Sequence, residues 1–173
     1  MDPFNKEEFK SSISELYPRL HRAIRAYVAG SSVDPEDVLQ ETFLKAYKNL
    51  NRFKRQSTIY TWLYSIARNI AIDEFRKRKY EKLQSNTPVE EFEIASDMER
   101  AQEDNEDIML LRKAIAELPE LLRSVVVMKT IDGFSYPEMA EVTGVNEETL
   151  KNRMFRARKI LAARLNQLGV KPS

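Results

Sequence analysis

Apolar residues recur at intervals of three and four along most of the chain, which is the spacing of amphipathic α-helices. The first such series covers residues 9–29. It consists of Phe9, Ile13, Leu16, Leu20, Ala23, Ile24 and Tyr27. The chain has only four glycines, and each lies where a helix is expected to end or turn. The pattern therefore predicts an all-α protein.

A second helix is predicted to begin in the sequence SSVDPEDVLQ. Asp34 can cap it, Pro35 suits its first position and Asp37 lies in its first turn. The predicted buried stripe consists of Leu39, Phe43, Ala46 and Leu50. The outer surface then carries Glu36, Asp37, Gln40, Glu41 and Leu44. This acidic surface with a leucine suits either a docking partner or simple contact with solvent.

A third helix contains the only tryptophan, within STIYTWLYSIARN. Its predicted core stripe, with Trp62 at the edge, consists of Ile59, Leu63, Ile66 and Ile70. Another flank carries aromatic, amide and basic side chains, namely Tyr60, Tyr64, Phe75, Arg68, Asn69, Arg76, Lys77, Arg78 and Lys79. Rings can stack on unpaired bases while cations hold phosphates, so this flank favours single-stranded nucleic acid. A basic amphipathic helix does not establish that function alone.

Charge is distributed in blocks along the chain. Residues 9–80 hold 14 basic and 7 acidic side chains, and residues 108–173 hold 11 and 7, whereas residues 81–107 hold 2 and 10. The acidic segment has little helical periodicity and is too long for an ordinary loop. We therefore predict two small helical domains, 9–80 and 108–168. An acidic flexible linker at 81–107 would join them, acting either as a solvated tether or as a mimic of nucleic acid.

The second domain is predicted to contain four helices. The breaks between them fall at Pro119, at Asp132 and Gly133, and at Gly144 and Val145. Before the last helix, Ala140 permits a close crossing, Gly144 permits the turn and Asn146 can cap. With Leu150 and Met154 facing inward, this is the pattern of a helix-turn-helix, whose second helix enters the major groove of DNA. An ordinary helical hairpin with a charged surface is the alternative.

Composition excludes several kinds of chemistry. The chain of 173 residues has no cysteine and a single histidine, so disulfides and a cysteine–histidine zinc site are excluded, and no metal or cofactor is predicted. The first ten residues lack the apolar region of a signal peptide, and the longest aliphatic run, residues 125–128, is far too short to span a bilayer. A cytoplasmic protein without membrane insertion is expected.

Two long segments together resemble one known family. DPEDVLQETFLKAYKNLNRFKRQSTIYTWLYSIARNIAIDEFRKRK resembles the first domain, and LPELLRSVVVMKTIDGFSYPEMAEVTGVNEETLKNRMFRARKIL the second, of the extracytoplasmic-function (ECF) sigma factors of bacterial RNA polymerase. The motifs are numerous and occur in the family's order over nearly the whole chain. The resemblance implies a non-enzymatic, alternative-sigma transcription initiation factor. Its implied partners are polymerase core, through the clamp coiled coil of the largest subunit and the flap, promoter DNA and an anti-sigma factor.

The resemblance also implies roles for residues of the first domain. Core polymerase would be bound by Asp34, Asp37, Gln40, Glu41 and Leu44. The melted minus-ten strand, with one base turned out into a pocket, would be held by Phe53, Lys54, Arg55, Gln56, Ser57, Tyr60, Arg68 and Asn69. The promoter backbone would be held by Arg76, Lys77, Arg78 and Lys79. The family often has a glycine and an acid where this chain has Arg55 and Gln56, a departure that bears on which base is preferred.

In the second domain the resemblance implies recognition of the minus-thirty-five element in the major groove. The residues implied are Glu147, Glu148, Thr149, Lys151, Asn152, Arg153, Arg156 and Arg158. The acidic linker would run toward the active-site cleft and RNA exit path of the polymerase, which favours the mimic over the tether.

Two other classes of protein are weighed against this one. A helix-turn-helix repressor or activator would need a self-complementary surface and would bind duplex DNA without polymerase. A carboxylate–metal nuclease would have to use Asp73 and Glu74. Neighbouring positions on a helix point about 100° apart, so these two carboxylates do not converge on one metal.

Overall fold

All of the regular structure in residues 5–85 and 106–170, which the computed structural model describes, is helical. The chain divides into two units, residues 1–89 and 90–173. The all-α prediction with two small helical domains is therefore confirmed. Most of the predicted acidic linker, residues 86–105, lies outside the described residues.

Residues 5–85 of the first unit form three helices, and each packs on the other two. They are α1 (Lys6–Val28), α2 (Pro35–Lys48) and α3 (Ile59–Ser85), with a short 3₁₀ turn at Leu50–Arg52. Helix α1 begins before the predicted residue 9 because of a capping box. The Asn5 side chain accepts the N–H groups of Glu7 and Glu8, and the Glu8 carboxylate accepts the Asn5 N–H.

Helix α2 begins as predicted, because the Asp34 side chain accepts the Glu36 N–H at 2.8 Å and Pro35 occupies the first position. Of the predicted stripe, Leu39, Ala46 and Leu50 are buried but Phe43 is only half-buried. Val38 and Thr42 are buried in addition. The Thr42 hydroxyl donates to the Val38 carbonyl oxygen at 2.6 Å, so its burial leaves no unsatisfied donor.

Helix α3 differs from the prediction in its length and in the face that it buries. It continues to Ser85, so residues 81–85 are helix and not the start of a linker. Leu63 and Ile70 are buried as predicted, but the other buried positions are Tyr60, Thr61, Tyr64, Ala67, Arg68 and Ala71. Ile59 and Ile66 are only half-buried. The core stripe is therefore rotated toward the flank that was predicted to face outward.

Four helices form the described part of the second unit, residues 106–170, as predicted. They are α4 (Glu106–Ala116), α5 (Glu120–Val126, continued by a π-helical turn at Val127–Ile131), α6 (Tyr136–Thr143) and α7 (Glu147–Gln167). Helix α7 packs against the other three. Ser135 and Glu138 form a capping box at the start of α6, and the Asn146 side chain accepts the Thr149 N–H at 2.8 Å at the start of α7.

Gly144 makes the turn between α6 and α7. It ends α6 in the left-handed conformation, with φ of 68°, and its N–H donates to the Ala140 carbonyl oxygen at 2.8 Å. The predicted turn of the helix-turn-helix is thus present. Leu150 and Met154 of α7 are buried, also as predicted.

We expect Gly144→Ala to lower the free energy of unfolding by about 1 kcal/mol. A Cβ at this position would meet no atom within 4 Å, so the cost comes from the backbone conformation alone. Urea denaturation of the whole chain measures the change. Gly144→Asn is the matched control and should lose less, because asparagine tolerates this conformation better than alanine. An alanine variant as stable as the wild type would contradict the argument.

Candidate polymerase and nucleic-acid interfaces

The outer side of α2 presents the residues that were predicted to bind polymerase. Its exposed members, which we call the acidic face, are Asp34, Asp37, Gln40, Glu41 and Leu44. Leu44 is 55% exposed. A cleft of about 120 Å³ beside this face is lined partly by Asp34, Asp37, Glu41, Glu74 and Arg78. An exposed leucine among carboxylates gives a partner both an apolar contact and a charge to match.

Glu36 was predicted on the same outer surface but is held by α1. The Tyr17 hydroxyl donates to its Oε2 at 2.6 Å, and Nε2 of His21 lies 2.8 Å from its Oε1. The hydrogen bond to Glu36, followed by burial and the charge of that carboxylate, raises the pKa of Tyr17 above 10.0. Because the folded-state pKa is the higher one, this contribution to stability is present at neutral pH and is lost as the pH rises through it.

The loop between α2 and α3, residues 53–58, is anchored at both ends. The Phe53 ring lies 5.2 Å from the Trp62 ring, centroid to centroid. At the other end, the Thr58 side-chain oxygen accepts the Thr61 N–H at 3.1 Å, and its carbonyl oxygen accepts the Trp62 N–H at 3.1 Å. Between these anchors the loop exposes Lys54, Arg55 and Gln56, with Ser57 half-buried. Phe53 and Trp62 thus place aromatic rings beside exposed polar side chains.

Tyr60 and Tyr64 are core residues, so the prediction that they present stacking surfaces was wrong. Their side chains are 3% and 1% exposed, and the Arg19 guanidinium lies 3.8 Å from the centre of the Tyr60 ring. Arg68, predicted to contact the melted strand, is also buried at 9% exposure. Trp62 is half-buried, as expected for the edge of the core. Its contact with Phe53 gives an aromatic surface beside the loop.

The basic side chains near the end of α3 do not all point to solvent. Arg76, Lys77 and Lys79 are exposed, and so is Asn69 further up the helix. Arg78, predicted to bind promoter backbone, instead points toward α2. Its Nη1 donates to the Ser32 hydroxyl at 3.1 Å, and its Nε lies 3.7 Å from Oε2 of Glu74. Arg78 and Glu74 lie four positions apart and share one face of the helix, so Arg78 is less available to a promoter than its exposed neighbours.

Helix α7 exposes a polar face for its first three turns. Its exposed predicted residues are Glu147, Glu148, Lys151, Asn152, Arg156 and Arg158, while Thr149 and Arg153 are half-buried. Nζ of Lys151 lies 3.6 Å from Oε2 of Glu147. This ion pair reduces the negative charge that Glu147 would present to a phosphate.

Sequence reasoning missed Phe155, which is 63% exposed in the same face. It lies three and four positions after Asn152 and Lys151, and the Lys159 Nζ is 5.6 Å from its ring centre. Met154 and Ala157 mark the buried side of the helix, and the helical spacing from them places Phe155 on the exposed side. An exposed phenylalanine on such a helix can contact a thymine methyl group.

Comparison with known proteins fits this arrangement. Residues 13–80 match the family model of sigma-70 region 2, and residues 108–161 match that of sigma-70, region 4. The ECF RNA polymerase sigma-E factor of Salmonella typhimurium is 34% identical, over 79% of this chain and 76% of that protein. The ECF RNA polymerase sigma-E factor of Haemophilus influenzae is 29% identical, over 95% and 90%.

A solved structure agrees over a similar length. The sigma factor RpoE from Bartonella quintana, crystallised in complex with the anti-sigma factor NepR, is 28% identical with a TM-score of 0.80, covering 92% of this chain and 98% of that one. The two matched regions are those of a sigma-70-type initiation factor of RNA polymerase. Within that class, the chain belongs to the ECF sigma factors.

Membership of this family excludes the nuclease alternative, because sigma factors are initiation factors and not enzymes. Glu74, which that alternative required, is paired with Arg78. None of the helices in the described part of the chain combines the length and the apolar content that crossing a membrane requires.

Proposed function

We propose that this sigma factor binds polymerase core through the acidic face of α2, reads the minus-thirty-five duplex with α7 and captures the melted minus-ten strand at the α2–α3 loop. The observation that carries the proposal is the presence, on one chain and in the family's order, of both regions with their functional faces exposed. Domains 9–80 and 108–168 would thus hold the two halves of promoter recognition.

Strand capture would occur at the loop and at the aromatic pair beside it. Phe53 and Trp62 border the site, Lys54 and Asn69 supply exposed donors, and Gln56 has an amide suited to a base edge. Arg76, Lys77 and Lys79 would hold the backbone. Tyr60 and Arg68 would support the site from the core and not touch the strand.

The mechanism needs no catalytic group. Melting a promoter is unfavourable, and a protein that binds the unstacked strand but not the duplex shifts the equilibrium by the difference between its two affinities. The loop would therefore open DNA by stabilising the open form. Contacts to phosphates make that binding salt-dependent, and contacts to bases decide which promoters open.

Helix α7 would enter the major groove with the centre of its exposed face against the bases. Arg156 and Asn152 would contact base edges, Phe155 a thymine methyl, and Glu148 a cytosine amine. Arg153 and Arg158 would bind phosphates. Glu148 then contributes to specificity instead of opposing the DNA charge.

We expect Arg156→Ala and Arg158→Ala to weaken promoter binding in different ways. Loss of a base contact at Arg156 should lower affinity about tenfold or more and relax the preference at one base pair. Loss of a phosphate contact at Arg158 should weaken all sequences alike and reduce the salt slope by about 1. Binding of polymerase holoenzyme to a panel of minus-thirty-five variants at several salt concentrations separates the two. Identical sequence profiles for both variants would contradict the assignment.

Regulation by an anti-sigma factor is part of the proposal. The Bartonella quintana sigma factor, which matches nearly the whole chain, was crystallised in complex with such a partner. A protein that covers the acidic face or α7 would keep this chain from polymerase or promoter. We propose that the chain is held inactive in this way.

The test is transcription from a pool of genomic DNA fragments by sigma-free bacterial core polymerase, with and without the chain, followed by sequencing of the start sites. Transcripts that depend on the chain and share two upstream motifs would establish the proposal and define the promoter. A helix-turn-helix repressor would give a different result, namely no transcript and tight, sequence-specific duplex binding by the chain alone.

A further inference from the structure

A side chain of α1 reaches the loop that we assign to strand capture. Oε2 of Glu8, in the first turn of α1, lies 3.3 Å from Nη2 of Arg55, in the middle of the α2–α3 loop. These residues are 47 positions apart in sequence. The contact therefore joins the beginning of the first helix to the middle of the loop.

The Glu8 carboxylate has two tasks at once. The same oxygen, Oε2, accepts the Asn5 N–H at 3.1 Å and so completes the cap of α1. The cap thereby fixes the position of the carboxylate independently of its contact with Arg55. The adjacent Glu7 pairs within its own helix, since its Oε1 lies 3.3 Å from Nζ of Lys10.

Arg55 has an unusual backbone. Its φ is 54°, and it is the one residue other than glycine with a positive φ in residues 5–85 and 106–170. This left-handed conformation is unfavourable for a residue with a Cβ and persists where surrounding contacts impose it. Phe53 and Thr58 anchor the loop only at its ends. The pairing with Glu8 acts on the side chain of the strained residue itself.

We propose that Glu8 is a positioning residue for strand capture, which holds Arg55 in the left-handed conformation and so shapes the loop before the strand arrives. The inference rests on the proposed function of the loop. A loop that already has its binding shape loses less conformational freedom when the strand binds. Glu8 acts through Arg55 and need not touch DNA.

The decisive variant is Glu8→Gln, with Glu7→Gln as its matched control. Glutamine can still accept the Asn5 N–H in a capping box, so the first variant keeps the helix end and removes the charge that holds Arg55. The control removes the same charge one position away, where the partner is Lys10. Thermal unfolding should be similar for the two variants.

Two measurements report on the loop. The first is the rate at which trypsin cuts the full chain after Lys54, identified by mass spectrometry. The second is the affinity of the polymerase complex for a forked promoter duplex with a single-stranded minus-ten element, taken from a mapped start site. An exposed ion pair supports changes of about two- to fivefold, so Glu8→Gln should raise the cutting rate and lower the affinity by that factor, while Glu7→Gln changes neither.

Arg55→Gly provides the coupling test. Glycine adopts the left-handed conformation without strain and cannot pair with Glu8, so adding Glu8→Gln to this background should leave strand affinity unchanged. If the wild-type complex holds the forked duplex but Glu8→Gln behaves like Glu7→Gln in both measurements, the positioning role is overturned and the proposed function is not. A wild-type complex that fails to hold the forked duplex would overturn the proposed function and this role with it.

Discussion

Asp37→Lys is expected to lower the affinity of the chain for core polymerase by about a hundredfold, because placing like charges against each other across an interface costs several kcal/mol. Asp37 is exposed in the first turn of α2, at the centre of the acidic face. Replacing it removes no core contact. The expected loss therefore belongs to binding, which fluorescence anisotropy of the labelled chain titrated with core polymerase measures.

Glu15→Lys is the matched control for that change. Glu15 is an exposed acid on α1, so the substitution alters net charge equally but lies on a different helix from the acidic face. The Asp37 variant should unfold at a slightly lower temperature, since a basic residue in the first turn opposes the helix dipole by up to about 1 kcal/mol. Equal loss of polymerase affinity in both variants would show that net charge, and not the acidic face, governs binding.

Trp62→Ala is expected to impair both folding and strand capture. Trp62 is half-buried against Phe53, so its removal should lower the free energy of unfolding by about 2 kcal/mol, less than for a fully buried tryptophan. Stacking on a base contributes about 1–3 kcal/mol, so affinity for a forked promoter should fall by about 5-fold to 150-fold. Denaturation and forked-duplex binding at a temperature where the variant is folded separate these effects.

Trp62→Phe distinguishes an aromatic requirement from a packing requirement. Phenylalanine keeps a ring for stacking and much of the contact with Phe53, so strand affinity should recover while some stability stays lost. If Trp62→Ala bound the forked duplex as tightly as the wild type, the aromatic pair would have no part in strand capture.

Local signals were sufficient to predict the start of α2 and the turn from α6 to α7. The Asp34 cap with Pro35, the Asn146 cap and the Gly144 turn each depend on residues within a few positions of one another. Such signals act through the backbone N–H groups nearest in sequence. The helix-turn-helix could therefore be predicted from its own short segment.

The face that α3 buries could not be predicted in the same way. Apolar residues occur on nearly every side of its first three turns, so periodicity does not select one stripe. The helix packs against both α1 and α2, which widens the buried side until it includes Tyr60 and Tyr64. Periodicity does not distinguish these isoleucines from these tyrosines, and tertiary packing is what buries the tyrosines.

Contacts between distant positions lay beyond any sequence pattern. Tyr17 meets Glu36 across 19 positions, Arg78 meets Ser32 across 46, and Arg55 meets Glu8 across 47. Two of these contacts engage a predicted site residue, namely Arg78 and Arg55. Glu36 stays exposed while it is bonded to α1.

The most direct test of the account is permanganate probing of unpaired thymines on a promoter defined by mapped start sites. We expect reactive thymines from the minus-ten element to the start site only when the chain and core polymerase are both present, and fewer with Trp62→Ala. Reactive thymines with core polymerase alone would contradict the proposed function. So would binding of the chain to the duplex with no reactive thymines after core polymerase is added.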